Sequence, residues 1–354
     1  MRGLHSREDR GTMCDRRTRL MQYAKFGNTG MTVSRICLGA MSFGPEMPEE
    51  EAIRAVHHAL DAGVNFIDTA DAYGRGVGEE ILGKALAGLS RDDIVVATKF
   101  WVPMYHKPNA GGCSRRHILR AVEDSLRRLK TDYIDLYQLH HPDPNTPVEE
   151  TLSTLDNLVK QGKIRYFGVS NHYAWQMAHM LGVSALHNWE PLVSIQCRYN
   201  IRDRAVEVET VPFCQEFNIA MITYSPQDRG VLTGKYERGK PIPADTFAGK
   251  SQFVQDMLTD ETFHLLDELK KIAQKNDLGL NQLAVLWVLA KPFVTAPIVG
   301  GTKLEHFEQI YTIADRKLPD EDVETIDKLS EKYVHAPFLN QFVLGHKSLA
   351  KNWW

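Results

Sequence analysis

No apolar run in this chain is longer than a β-strand, which excludes a membrane-spanning helix. Cysteine is scarce and scattered: Cys14, Cys37, Cys113, Cys197 and Cys214 form no CxxC pair, and their odd number gives neither a zinc cage nor a disulfide framework. That usage fits a reducing, cytoplasmic setting, with each thiol read as buried or incidental. Charge of one sign is missing too. Lysine and arginine total 42 against 45 acids, a net charge of −3, so there is no footprint for nucleic acid or an acidic membrane. No HxH or HExxH spacing occurs, and the adjacent pairs His57-His58 and His140-His141 diverge on a helix or strand, which leaves a barrel metallohydrolase unsupported. No GxGxxG follows the first strand, so a Rossmann domain is not indicated. Gly74-Arg75-Gly76-Val77-Gly78 is Gly-rich but ends in Glu79-Glu80, and it reads as a turn rather than a phosphate cradle.

What is present is an ordinary globular composition, 43% hydrophobic and 25% charged over 354 residues, enough for one large barrel with a sizeable core. Residues 1–20 differ in kind. They carry six arginines, three acids and no apolar h-region, so neither a secretory signal nor a transit peptide fits. They read as a disordered extension, or as sequence upstream of a natural start at Met21.

From residue 33 onward strand-like and helix-like patterns alternate. A first strand lies near 36–38, and Pro48-Glu49-Glu50-Glu51 opens a helix to Ala62, with acids in its first turn and Gly63 at its end. Strand two ends at Asp68 and a helix follows over about 78–87. Strand three ends at Lys99, and a helix over 114–129 starts with Ser114 as its cap. Strand four ends at His140, and Pro147 stands early in the next helix. Strands at 164–169, 192–196, 220–224 and 295–299, with helices near 175–181, 206–217 and from 304, complete eight βα units. That order implies a parallel sheet, and eight units close a barrel. The predicted fold is α/β, a single-domain (β/α)8 TIM barrel over 21–333 with a C-terminal tail over 334–354. Two connections are long, 100–113 and 225–258. Long loops at the C-terminal face commonly cover a ligand.

Asp68, Tyr73, Lys99 and His140 each follow a predicted strand at its C-terminal end. Polar groups leaving successive parallel strands at one end converge on one face, where such barrels place their chemistry. A carboxylate, a phenol, an ammonium and an imidazole held together suit proton transfer to a reacting oxygen. Asp71, by contrast, reads as a turn or surface carboxylate.

The segments Asp68-Thr69-Ala70-Asp71-Ala72-Tyr73-Gly74, Thr98-Lys99-Phe100-Trp101 and Gln138-Leu139-His140-His141-Pro142-Asp143 resemble the aldo-keto reductase family, and the resemblance runs from Met21 to about residue 333. It implies reversible, NAD(P)H-dependent reduction of an aldehyde or ketone to an alcohol. Such a reaction needs a hydride at carbon and a proton at oxygen. A free tyrosine has a pKa near 10, and a nearby ammonium favours phenolate, so Lys99 is expected to lower the Tyr73 pKa and make it the general acid and base. Asp68 would hold Lys99 and preserve its charge on burial. His140 would orient the carbonyl, and His141 is expected to point to the opposite face of the strand.

No side chain supplies a hydride, so a nicotinamide cofactor is implied. By resemblance, Asp68, Ser170, Asn171 and Gln196 contact its carboxamide end, and Tyr224 is the platform for its ring. Ser225, Pro226, Gln227, Gly230 and Lys235 follow as pyrophosphate contacts. In the family pattern position 227 is more often Leu and position 228 often Ala, and Asp228 would repel phosphates unless Arg229 compensates. The last motif brings Gly300, Thr302, Lys303, His306 and Gln309 to the adenine end, with His306 and Gln309 departing from the residues usual there. Thr302 and Lys303 at a helix start favour a 2′-phosphate. NADP (NADPH) is therefore preferred, with NAD as the alternative.

Met41, Phe43, Tyr73, Trp101 and His140 are the candidate substrate lining, although the first two and Trp101 equally suit barrel-end packing. The substrate is a small carbonyl or alcohol, with no nucleic acid or membrane partner expected. Gly112-Cys113-Ser114-Arg115-Arg116-His117-Ile118 and the run 142–151 are similar to the branch containing bacterial general reductases and potassium-channel β subunits. That branch supplies the alternative function, a nicotinamide-binding regulatory subunit with secondary turnover.

Overall fold

In a computed structural model the described residues are 21–335. The expectations for residues 1–20 and for the tail beyond residue 335 lie outside them. Eight parallel strands close a barrel: β3 (Cys37–Gly39), β4 (Phe66–Asp68), β5 (Val95–Phe100), β6 (Ile134–Leu139), β7 (Ile164–Ser170), β8 (Ser194–Arg198), β9 (Ala220–Tyr224) and β10 (Ala296–Val299), with β10 pairing both β3 and β9. The (β/α)8 architecture expected from the sequence is present.

Period-two alternation decides what enters the barrel. Phe66, Ala97, Leu136, Ala220, Ile222 and Ala296 belong to an apolar cluster that also takes Phe26 and Val33. Their strand neighbours Ile67, Val96, Tyr137, Met221 and Val299 belong instead to the larger cluster between strands and helices. Two residues further along the inward series stand Asp68, Lys99, Gln138 and Tyr224. The same parity that packs the apolar floor therefore delivers polar groups to its upper end. Gly168 on β7 is required by crowding, since a Cβ there would clash with Ser194 Oγ.

The helices α1 (Glu49–Asp61), α2 (Val77–Ala85), α3 (Arg115–Leu129), α4 (Val148–Lys160), α5 (Ala174–His187) and α6 (Thr210–Glu216) follow the first six barrel strands. Ser114 caps α3 by accepting from the His117 N–H at 3.3 Å. The helix expected over 206–217 is divided into a 3-10 turn, Ala205–Glu207, and α6. Pro212 explains the break, because a continuous helix would set its ring against the carbonyl four residues earlier. Strand β8 starts two residues later than expected, after Pro191, and β5 and β7 each run one residue further.

Four features differ from the sequence expectation. An antiparallel hairpin, β1 (Tyr23–Lys25) and β2 (Thr32–Ser34), precedes the barrel, and Phe26 and Val33 pack from it into the barrel interior. The long connection after β9 carries α7 (Phe247–Lys250) and α8 (Gln252–Asp256). Beyond it α9 (Asp260–Lys275) and α10 (Leu280–Leu289) come before β10. After α11 (Leu304–Tyr311), α12 (Asp320–Leu329) packs on α9. Among the described residues no helix is long and apolar enough to cross a membrane.

Two buried histidines give the fold an acid sensitivity. Burial pushes His117 down to about 4 against the opposing pull of Asp124 and Asp143, and burial does the same to His172, whose Nδ1 pairs with Ser170 O at 2.8 Å. Both stay neutral in the fold, whereas an unfolded histidine binds a proton below about 6.5. Stability from these groups is thus present above pH 6.5 and is lost as pH falls toward 4. Other groups titrate in the same range, so the test is a difference. In urea unfolding from pH 7 to 4.5, His172→Gln should lose less stability than wild type, by up to about 1.4 kcal/mol per pH unit. Parallel slopes would contradict it.

Candidate active site

Lys99 is fully buried near the upper end of β5, and its ammonium uses all three donors. It donates to Asp68 Oδ1 at 2.6 Å, to the Thr69 carbonyl at 2.8 Å and to the Tyr73 hydroxyl oxygen at 3.2 Å. The second oxygen of Asp68 accepts from Gln196 Nε2 at 2.8 Å and Gln138 Nε2 at 3.2 Å. Sequence reasoning missed Gln138. The signal is its parity, two residues past Leu136 and two before His140.

Tyr73 starts a short 3-10 turn after β4, its N–H donating to the Ala70 carbonyl at 3.1 Å. Because the phenol oxygen accepts from Lys99, its own O–H is left to donate elsewhere. The expected lowering of its pKa is corrected by the structure. Burial is the larger influence and raises the phenol above its ordinary value, with Lys99 opposing. Tyr73 is therefore held as the neutral acid at neutral pH. Burial also works against the charge on Lys99, but Asp68 and Tyr73 outweigh it and hold the ammonium above its ordinary value.

The ring of His140 meets Tyr73 edge-on at 5.9 Å, and its backbone N–H donates to the Phe100 carbonyl at 3.0 Å. Burial, then Lys99 and His141, pushes it well below the usual histidine range, so it is a neutral imidazole. The expectation that His141 faces away is also corrected: the two rings stack at 4.7 Å and 4°. Strand β6 stops at Leu139, so alternation no longer applies to the pair. Trp101 stands edge-on to His141 at 5.0 Å.

Asp71 is not a surface carboxylate. It is buried, and among the described residues neither of its carboxylate oxygens has a hydrogen-bond partner. Burial and then Glu79 push its pKa well above the ordinary carboxylate value. Beside it Glu79 is held by Arg128 at 2.7 Å and Thr98 at 2.6 Å. Packing by α2 and α3 encloses this loop acid.

The remaining predicted residues fall on the same end of the barrel. Tyr224 donates to Asn171 Oδ1 at 2.8 Å, while Asn171 Nδ2 donates to the His140 carbonyl and to Ser170 Oγ, both at 3.0 Å. The segment after β9 runs Ser225, Pro226 and Gln227 into a 3-10 turn over Asp228–Thr233, with the Gln227 carbonyl accepting from the Gly230 and Leu232 N–H groups. A Cβ on Gly230 would lie 2.7 Å from Lys235 Nζ, so this ammonium rests over the Gly230 backbone. The expected compensation of Asp228 by Arg229 is corrected: Arg198 and Arg202 neutralise it at 2.5 and 2.7 Å, while Arg229 lies over the Phe253 ring at 5.2 Å.

At the last motif, Gly300 leaves open space where a Cβ would stand. His306 Nδ1 accepts from the Thr302 N–H at 3.3 Å. Burial lowers the His306 pKa; Glu305 and Glu51 oppose the shift and Lys235 and Lys303 add to it, so charges of both signs lie near this ring. Glu51 Oε1 accepts from the Leu304 N–H at 2.9 Å, so one amide of the helix start is already taken by an acid. Gln309 is exposed and accepts from Asn281 Nδ2 at 2.9 Å. Of the substrate candidates, Met41 is exposed and Trp101 half-buried, but Phe43 is fully buried in the main core and packs the barrel end instead.

The arrangement is a proton donor, a charged lysine behind it and a neutral histidine beside it, at the mouth of a closed barrel. In comparison with known proteins, the model of the aldo/keto reductase family matches residues 35–331. The chain belongs to this family, whose members reduce carbonyls with nicotinamide cofactors, and it is an oxidoreductase. It is 32% identical to versiconal hemiacetal acetate reductase of Aspergillus parasiticus, over 87% of this chain and 96% of the relative. An aldo-keto reductase of Bacillus subtilis, YhdN, is 34% identical over 91% and 98%. A probable voltage-gated potassium channel subunit beta of Oryza sativa is 37% identical over 87% and 95%. These relatives span the branch that the sequence motifs indicated.

Proposed function

We propose that this protein is an NADP(H)-dependent carbonyl reductase in which Tyr73 is the general acid for reduction and the general base for alcohol oxidation. One observation carries the reading: Lys99 spends its third N–H on the Tyr73 oxygen, which leaves the phenolic proton to be donated outward. Lys99 also stabilises the phenolate that forms when that proton leaves, and Asp68, backed by Gln138 and Gln196, keeps the ammonium in place. Neutral His140 donates a hydrogen bond that orients the substrate oxygen beside Tyr73. Met41 and Trp101 border the substrate space. The nicotinamide cofactor, when bound, supplies the hydride.

The residues present fit such a cofactor. Ser170, Asn171 and Gln196 gather amide and hydroxyl groups beside Tyr224 for the carboxamide end. Lys235 and Lys303 lie near the neutral His306 ring at the start of α11 for phosphate, with Glu305 and Glu51 also near, and Ser225, Pro226, Gln227, Gly230, Gly300, Thr302 and Gln309 along the path between. The two lysines favour NADP, and the Glu305 and Glu51 carboxylates work against it.

A regulatory subunit of the channel-β kind is the second reading, favoured by the 37% identity to the rice protein. Fast turnover of a simple aldehyde by the purified chain separates the two.

Two outcomes are expected. In a panel of aldehydes, ketones and sugars followed by NADPH absorbance, Tyr73→Phe should lose on the order of 10²-fold or more in kcat while cofactor affinity is kept. A variant close to wild type would remove Tyr73 as the acid. In titrations, Lys303→Ala should weaken NADPH more than NADH, and equal effects would remove the 2′-phosphate assignment.

A further inference from the structure

A buried ion cluster lies beneath the turn after β9, and neither proton transfer nor carbonyl binding uses it. Asp228 is fully buried, and its carboxylate oxygens are held separately, Oδ1 by Arg198 at 2.5 Å and Oδ2 by Arg202 at 2.7 Å. Arg198 is the last residue of β8, and Arg202 lies in the segment that follows it. Arg198 Nε is also 3.2 Å from Asp203 Oδ2, which closes a group of two guanidiniums and two carboxylates with no net charge. The end of β8 is thereby tied to the segment leaving β9.

The stretch so anchored follows a path that few side chains adopt unaided. Ser225, Asp228 and Arg229 have φ values of 56°, 48° and 54°, and Gly230 continues at 91°. Such a run of left-handed residues persists only where its surroundings over-determine it. The two ion pairs of Asp228 do this from below. Asn200 Nδ2 adds a hydrogen bond to the Ser225 carbonyl at 3.0 Å, and Phe253 supports Arg229 from α8.

Electrostatics point the same way. A free carboxylate at position 228 would oppose an anionic ligand near Lys235. Turned inward and doubly paired, it no longer does, because the field of a neutralised group falls off steeply.

We propose that Asp228 is a positioning residue for cofactor binding: its pairs with Arg198 and Arg202 preform the 225–230 turn in the shape that receives the pyrophosphate of a dinucleotide. The inference rests on the dinucleotide reading above. Preforming a binding loop lowers the ordering cost at the moment of association.

The test begins with wild type, titrated with NADPH and NADH by quenching of tryptophan fluorescence. No binding to either would remove the dinucleotide reading itself, and this proposal with it. Given binding, Asp228→Asn should raise the cofactor Kd by about tenfold or more, with kcat at saturating cofactor and the KM for carbonyl within about threefold. The double variant Arg198→Met/Asp228→Asn, which leaves one fewer unpaired guanidinium, should show the same loss. An unchanged or lower Kd in either folded variant would overturn the proposal, since removing a merely repulsive carboxylate tightens binding. Hydrogen exchange on wild type needs no variant: the amides of Asp228 and Gly230, which donate to the Ser225 and Gln227 carbonyls, should already be protected without cofactor. Protection that appears only on adding NADPH would also overturn it.

Discussion

Lys99 is enclosed at the upper end of the barrel and keeps its charge because each of its three N–H bonds has an acceptor: Asp68 Oδ1, the Thr69 carbonyl and the Tyr73 hydroxyl. An ammonium without those partners would not survive there in charged form. Breaking a buried pair by removing one member costs about 3–5 kcal/mol, because the other charge is left uncompensated. The surrounding structure is arranged to prevent that. Asp68 receives two amides on its free oxygen, and Tyr73 is carried on a turn whose backbone is bonded to β4's own exit. The same contact that satisfies the lysine fixes which way the phenol's proton points.

The barrel makes this possible by geometry. Side chains that point inward at successive levels are apolar at the floor and polar at the top, so a dry layer lies directly beneath the ion pair. Low local polarity strengthens the Lys99–Asp68 attraction and raises the phenol, which stays protonated. Burial and cation thus act on Tyr73 in opposite senses, and burial prevails. The result is a phenol that stays protonated at neutral pH with a cation beside its oxygen.

Much of this arrangement is legible in the sequence itself. Asp68, Lys99 and His140 stand at the ends of apolar runs, and strand periodicity alone places them on one face. The hairpin over 23–34 escapes such a reading because its strands, Tyr23–Lys25 and Thr32–Ser34, hold no apolar run, although Gly27 and Gly30 mark the turn. Asp71 looks like a surface acid because its burial, and the charges of Glu79 and Arg128 that act on it, come from segments that local pattern does not connect to it. The Arg198–Asp228 pair, 30 residues apart, has no sequence signal either. His141 is misplaced by any reading that continues β6 through it. The misses at Asp71 and Asp228 concern contacts made by tertiary packing, whereas the placing of Asp68 and Lys99 follows from the period of their strands.

The most direct test of the central claim removes the buried pair without leaving a charge unpaired. In an Asp68→Asn/Lys99→Met variant that folds and binds nicotinamide cofactor as wild type does, carbonyl reduction at saturating substrate should fall on the order of 10²-fold or more, because Tyr73 has lost the cation that stabilises its phenolate. A rate within about threefold of wild type would contradict the account, since the phenol would then be working without the lysine.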